Sequence, residues 1–435
     1  MLAVLFLSGS ILTGCADGVF TAQDETVQAR RRVEAGSKFR HAHLLDRAIK
    51  SKAIGKSASS SNLGLVIAVA SGVDKQHLLE RYRLQERYQL QDRYDYHHVF
   101  DGSAWTVEDT TGANDFQQLL DELLADPEIL WFEPDFEILS LPSIPLPDTS
   151  GQVVPWNVIA VGGTESSTVS GDGQGAVDVD LFILDTGVTN GDLNLVEALD
   201  FNDGLDDASD YDGHGTHIAG IAAATDDTDG LVGVAPGARV HNLKVLGDNG
   251  TGDVSQVIAA IEYLTAQKLA NPSTPMVVNL SLGENVGTAS YTALDDAVAA
   301  STATGVVYIV AAGNQGIDAV NIAPAHAAEA ITVGAYDPLG TFASYSNYGA
   351  ALDLLAPGTD VVSLSVSANG AGVPVLMSGT SMAAPHVAGA AALYLSQHPM
   401  ATPQEVRDAL VDAGQAVISG VPGGTTTKTV WVKNF

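Results

Sequence analysis

Three short segments of this chain bring together residue types that can make and break acyl bonds. Asp185 ends the apolar run LFILDTG, His214 opens HGTHIAG, and Ser381 lies within SGTSMAAPH. A serine hydroxyl is a weak nucleophile until a neighbouring imidazole accepts its proton, and the imidazole needs a carboxylate to fix its tautomer and stabilise its charge. All three groups are present, in the order Asp, His, Ser. Each also has a plainer role. Asp185 suits a turn, or one half of a two-aspartate protease site, although no second DTG or DSG occurs. His214 and His217 have a spacing that suits two metal ligands on one face, with Asp206, Asp207, Asp210 and Asp212 nearby. The zinc-hydrolase pattern, however, places Glu directly after the first His, where this chain has Gly215. Ser381 suits a helix cap ahead of VAGAAALYL.

Such side chains need a rigid frame, and the second part of the chain has the pattern of one. Short apolar strands (DLFILDTG, ARVHNLKVL, MVVNLSLG, VVYIVAAG, AITVGAY) alternate with the helical patterns DVSQVIAAIEYLTAQKL and ASYTALDDAVAAST. Strands apolar on both sides, alternating with helices, predict an α/β fold with a parallel sheet covered on both faces. In such sheets the working residues gather at the carboxyl ends of the strands. Upstream, LGLVIAVA reads as a strand, VDKQHLLERY and DFQQLLDELLAD as helices, and ILWFEPDFEIL as another strand, a small α+β unit over residues 62–140. Between them runs a near-repeat of six, ERYRLQ, ERYQLQ, DRYDYH. An even period keeps one face constant on a strand, and Tyr82, Leu84, Tyr88, Leu90, Tyr94 and Tyr96 fall on it, so an extended segment is expected, with a charged helix as the alternative. The Pro- and Ser-rich stretch over 141–153 marks a domain boundary, and 154–435 forms the larger domain.

With 435 residues, 46% of them hydrophobic, the chain can bury a large core. Its formal charge of -32 excludes the clustered basic surface that nucleic-acid binding requires. The single cysteine, Cys15, rules out an intramolecular disulfide. It ends MLAVLFLSGSILTGC, which reads as a secretion signal too short to span a membrane. Leu12-Thr13-Gly14-Cys15 also resembles a bacterial lipobox, which implies lipidation of Cys15 and membrane attachment, although no Lys or Arg precedes the apolar run. Residues 16–61 are polar and aperiodic, a linker.

DTG at 185–187, HGTHIAG at 214–220, SLG at 281–283, AAGN at 311–314 and GTSMAAPH at 379–386 together resemble the subtilase family of serine proteases, most closely its proteinase K-like branch. The resemblance covers residues 151–435 and implies a subtilisin-like fold. More loosely, residues 62–140, with HVFDG and WFEPD, are similar to the family's inhibitory propeptide. Carried over, the resemblance makes Ser381 the nucleophile, His214 the general base, Asp185 its orienting carboxylate and Asn314 the oxyanion donor. It places extended peptide along Asn249, Gly250, Thr251 and Gly252 and along Ser281, Leu282 and Gly283, with Ala312 and Gly313 at the primary pocket. Glu284 departs from the glycine common there and, at the pocket rim, shifts preference toward basic residues. Pro385 is expected early in the helix after Ser381, where a missing N–H costs least. The resemblance also implies structural Ca²⁺ on Asp353 and the carbonyls of Ala328 and Ala330; the acidic loop from Asp203 to Asp212 reads as solvated. The expected protein is thus a monomeric, secreted or cell-envelope endopeptidase acting on peptides, made as a zymogen with its own propeptide as inhibitor. The alternative is a non-catalytic binding protein on the same scaffold, its propeptide permanently bound.

Overall fold

The computed structural model describes residues 62–435 apart from stretches at 76–77, 79–80, 83–87, 110–115, 136, 140–143, 146–150, 175, 203–206, 288–291 and 368–371. The leader-like segment with Cys15 and the expected linker over 16–61 lie outside the described residues.

The N-terminal domain consists of β1 (Asn62–Val69), β2 (Tyr88–Tyr96), β3 (Gly102–Asp109), α1 (Gln117–Ala125) and β4 (Ile129–Pro134). Its sheet runs β2-β3-β1-β4 with every neighbour antiparallel. An antiparallel sheet usually alternates apolar and polar residues, yet β1 carries no polar side chain from Leu63 to Val69. The reason is a second covering layer. Leu63, Leu65 and Ile67 pack with Leu119 and Leu123 of α1, whereas Val66 joins a core shared with the large domain.

The six-residue repeat does not keep one face. Tyr82 lies in a helical stretch and is buried in the N-terminal core, its hydroxyl donating to Asp126 (2.9 Å). β2 then carries a bulge at Arg93, so that Leu90 lies opposite Val107 whereas Tyr94 lies opposite Ala104. One inserted residue reverses the side-chain alternation. Leu90 therefore faces the domain's own core, and Tyr94 and Tyr96 reach across to the large domain, donating to the carbonyls of Phe201 (2.6 Å) and Ser255 (3.1 Å).

Two short strands, β5 (Glu137–Leu139) and β6 (Ile144–Pro145), lead into the C-terminal domain. Its main elements are β7 (Asp180–Asp185), β8 (Leu195–Asp200), α2 (His214–Ala223), β9 (Arg239–Lys244), β10 (Thr251–Asp253), α3 (Val254–Ala270), β11 (Met276–Leu280), β12 (Glu284–Asn285), α4 (Ala293–Thr302), β13 (Val307–Ala311), β14 (Ile322–Ala323), β15 (Ile331–Tyr336), β16 (Leu354–Pro357), β17 (Val361–Ser363), β18 (Val375–Met377), α5 (Thr380–Gln397) and α6 (Pro403–Ala413). Seven parallel strands lie in the order β16-β15-β13-β11-β7-β9-β8. Alternate residues of β7 enter opposite cores. Leu181 and Ile183 meet the buried faces of α2 and α5, and Phe182 and Leu184 meet α3 and α4. The expected parallel sheet with helices on both faces is this one. β8 and β16, at its edges, were not among the expected strands, and ILWFEPDFEIL divides after Pro134 into strands of two different sheets. α5 is buried over nearly its whole length, and no helix among the described residues is long and apolar enough to cross a membrane.

Candidate active site

Asp185 is the last residue of the central strand β7, and His214 is the first of α2. The two segments touch because both are glycine-rich: a Cβ on Gly215 would sit 2.1 Å from the carbonyl oxygen of Gly187. Any larger residue after His214 would push α2 off the strand end. His214 Nδ1 lies 2.7 Å from Asp185 Oδ1, with both side chains buried. The carboxylate accepts from Nδ1–H, which leaves Nε2 as the basic nitrogen. Burial alone would depress the imidazole pKa, but the adjacent Asp185 carboxylate outweighs it and raises that pKa above 6.5. Nε2 is buried and has no hydrogen-bond partner among the described residues.

Ser381 stands in the first turn of α5, which packs directly against α2. Its hydroxyl donates to the carbonyl of Ser281 (3.1 Å), and the Ser281 hydroxyl donates back to the carbonyl of Ser381 (2.7 Å). The return bond has a cause in the sequence. Pro385 has no N–H to offer Ser381, four residues before it, so that carbonyl is left for a side chain. Pro385 is therefore not confined to the first turn, as expected, but lies inside the helix. The missing bond is replaced by one that ties the end of β11 to the turn that carries Ser381.

Asn314 follows β13. Its Oδ1 accepts from the backbone N–H of Thr380 (2.8 Å) and from the Thr380 hydroxyl (3.0 Å). Because the Thr380 N–H can only donate, this contact fixes the amide orientation and directs Nδ2 to the other side. Asn314, Ser381, Thr380, Ala311, Gly313, Gln315 and the segment Ser281–Glu284 line one cleft of about 280 Å³. The cleft thus unites a hydroxyl, an amide donor, the first turn of a helix and an apolar wall. This set can bind a carbonyl and stabilise charge developing on its oxygen.

The sequence profile of the subtilase family matches residues 64–426. The chain belongs to the subtilase family. It is 37% identical over 292 residues to an alkaline protease of Alkalihalobacillus alcalophilus, covering 67% of this chain and 70% of that protein. To an extracellular serine proteinase of Thermus sp. (strain Rt41A) it is 38% identical over 301 residues, covering 68% of each. The crystal structure of a cold adapted subtilisin-like serine proteinase matches with a TM-score of 0.55 at 33% identity, covering 64% of this chain and 97% of that one. The protein is a subtilisin-like serine peptidase.

Several expected site residues of this subtilase lie elsewhere than anticipated. Gly313 lines the cleft, but Ala312 does not: it is fully buried in a separate cluster with Tyr336 and Leu355, and its carbonyl accepts from Asn347 Nδ2 (2.8 Å). Ala311, one residue earlier, forms the wall, because alternation along β13 turns its neighbour away. The edge formed by Thr251 and Gly252 already carries a strand. β5 pairs with β10 antiparallel, Leu139 opposite Thr251 and Ile138 opposite Gly252, while Asn249 and Gly250 form the turn before it. β6 in turn pairs with β18, Ile144 opposite Leu376 and Pro145 opposite Val375. His217 is no metal ligand. Its Nε2 lies 3.1 Å and 3.2 Å from the carbonyls of Val361 and Val375, and burial pushes its pKa down to about 3.

The calcium ligands expected at Asp353, Ala328 and Ala330 do come together, but around Arg407. Its Nη1 donates to the Ala328 carbonyl (2.8 Å), another guanidinium nitrogen donates to the Ala330 carbonyl, and Nε lies 3.5 Å from Asp353 Oδ1. The oxygen set already holds a cation built into α6, so the calcium implied by the resemblance does not fit among these atoms. No group of three or more His, Cys, Asp or Glu suited to a metal occurs among the described residues.

The acidic loop also needs correction, because Asp210 is buried and not solvated. Its Oδ1 accepts from the Thr186 hydroxyl (2.9 Å) and the N–H groups of Asp212 (3.1 Å) and Gly213 (2.8 Å). Its Oδ2 accepts from the N–H (2.9 Å) and hydroxyl (2.6 Å) of Thr216. One carboxylate thereby fixes the turn after Asp185 against the start of α2. Lys244, paired in register with Asp185, donates to the Thr186 carbonyl (2.5 Å) from the other side. Neither was expected from the sequence. Asp210 sits in a run of aspartates that looks solvated, and Lys244 is a lone cation at a strand end.

Proposed function

We propose that this subtilase is an endopeptidase made as a self-processing zymogen, with Asp185, His214 and Ser381 as its triad. The Ser381 side chain turns from Ser281 toward His214 Nε2, the buried imidazole nitrogen that lacks a partner. As Oγ attacks the substrate carbonyl, its proton passes to Nε2, and the oxyanion is met by Asn314 Nδ2 and the Ser381 N–H. The imidazolium, held by Asp185, then protonates the leaving amine, and the C–N bond breaks to give an acyl-enzyme. Water attacks this ester with His214 again as base, releasing the acid and restoring the Ser381 hydroxyl.

The observation that carries the zymogen reading is the path of the chain itself. Residues 137–139 pair with β10 and residues 144–145 with β18, which ends at Met377 just ahead of the helix that carries Ser381. The N-terminal domain is docked by carboxylates on two helix starts: Asp135 accepts from the N–H (2.9 Å) and hydroxyl (2.6 Å) of Ser255, and Glu133 from the Ala293 N–H (3.0 Å). We assign the processing bond to the stretch between Leu139 and Ile144, and the N-terminal domain acts as the intramolecular inhibitor. Substrates are peptides or proteins bound as an added strand. An extracellular location agrees with a relative named an extracellular serine proteinase, and the leader-like segment with Cys15 supports secretion with a lipid anchor.

Intact-mass analysis of wild type and Ser381→Ala after exposure to a fluorophosphonate tests the reading. A chain beginning between residues 140 and 144, with one adduct absent from Ser381→Ala, is expected. A full-length, unlabelled wild type would overturn it in favour of a non-catalytic binding protein.

A further inference from the structure

One polar side chain interrupts the apolar face of the parallel sheet beneath α5. On β11, Val277 enters the core that α5 shares, and Asn279, two residues on, keeps that face, fully buried in register between Ile183 of β7 and Ile309 of β13. Asn279 Nδ2 donates to Ser281 Oγ (2.8 Å), and Ser281 Oγ donates in turn to the Ser381 carbonyl (2.7 Å). The direction of both bonds is forced from the far end. Pro385 leaves the Ser381 carbonyl without its helical N–H. That carbonyl can only accept, so the single proton of the Ser281 hydroxyl points at it, and the Ser281 lone pairs are left for a donor. Asn279 therefore meets Ser281 with its nitrogen and not its oxygen. The amide oxygen, Oδ1, is then buried with no hydrogen-bond partner among the described residues. An orphaned oxygen in the core costs stability, so stability alone does not account for an amide at this position.

We infer that Asn279 is a positioning residue for Ser381: by holding the Ser281 hydroxyl as a donor, it fixes the first turn of α5 so that Ser381 Oγ and N–H both face the cleft. The inference rests on the catalytic reading of Ser381 given above. Two bonds join the two serines, and only one of them survives the reaction. The bond from Ser381 Oγ to the Ser281 carbonyl (3.1 Å) is lost when Oγ turns to His214. The line from Asn279 through Ser281 to the Ser381 carbonyl does not involve Oγ, so it keeps the turn in place while the proton moves. Its effect falls on kcat and not on KM.

The test reads the rate at which a fluorophosphonate labels Ser381 in the protein as purified, followed by intact mass. Asn279→Leu and Ser281→Ala are each expected to slow labelling about tenfold, the loss of one ordinary hydrogen bond. In the double variant the rate stays within about twofold of Ser281→Ala alone, because Asn279 acts through that hydroxyl. On a peptide substrate kcat falls with the labelling rate and KM stays where it was. The thermal midpoint of Asn279→Leu is unmoved or higher, since the orphaned oxygen leaves with the amide. Asn279→Ala, too small to overpack the core, repeats the labelling and the double-variant comparison should Leu not be accommodated. Wild-type labelling rates in the Asn279 variants overturn the inference, and so do losses that multiply in the double variant or that track a fall in the thermal midpoint of Asn279→Leu. If Ser381 of the wild type stays unlabelled, the catalytic reading falls and takes this one with it.

Discussion

Four helix starts in the C-terminal domain are closed in different ways. α3 and α4 receive carboxylates from the N-terminal domain, Asp135 and Glu133, and α2 receives Asp210 from the loop before it. α5 begins after Gly379 with no side-chain cap on its own N-cap residue; only the neutral amide oxygen of Asn314 takes its first N–H. A helix start attracts negative charge. Where a permanent carboxylate answers it, the attraction serves docking or local order. Where none does, the proposed mechanism uses it for a charge that exists only during the reaction, the one kind of stabilisation that lowers a barrier.

The largest effects should come from the open start. On the proposed mechanism Ser381→Ala is expected to lower kcat about 10⁶-fold and Asp185→Asn about 10⁴-fold, the losses known for single members of such triads, this family's among them. The pH profile sharpens the point. His214 must be neutral to act as base and its pKa lies above 6.5, so kcat/KM should climb with unit slope through that region and level off at alkaline pH. In Asp185→Asn the midpoint should move to lower pH; an unmoved midpoint would mean that another group titrates. Asn314→Ala should cost about 10² to 10³ in kcat with KM little altered, measured on a peptide substrate.

The closed starts should respond in stability and docking. Asp210→Ala strands five donors, four of them buried, and should destabilise the fold by about 3 kcal/mol or more, read from denaturant unfolding. A small change there would show that water substitutes readily for the carboxylate. Asp135→Ala should weaken the hold of the N-terminal domain by about 1 kcal/mol. After processing, activity should then emerge several-fold faster than in wild type. The same rate in both would mean that the apolar contacts of Val66 and Tyr96 carry the docking.

Much of this architecture was legible in the sequence. The alternation of two-sided apolar strands with helical periods marked the parallel sheet, because burial on both faces leaves no polar positions to interrupt the strand. Asp185, His214 and Ser381 stood out because reactive groups at crowded segment junctions need small neighbours, as Gly215 shows. The unbroken apolar run of β1 even carried the imprint of a second domain on its outer face. The bulge at Arg93, by contrast, left no signal, since a repeat of six reads the same with or without one displaced residue.

The sequence by itself determined which residues can react and on what kind of frame they stand, because composition and period record local conformation and burial. Only the tertiary structure decided their partners. Asp210 became a buried brace and not a solvated acid, Arg407 took the oxygens expected to hold calcium, and Ser281 replaced the hydrogen bond that Pro385 cannot make. The last two pairings join segments 77 to 100 residues apart, and the docking bond between Glu133 and Ala293 spans 160. Whether a carboxylate meets a cation, a helix start or water depends on which segments the fold packs against it, and no local pattern encodes that.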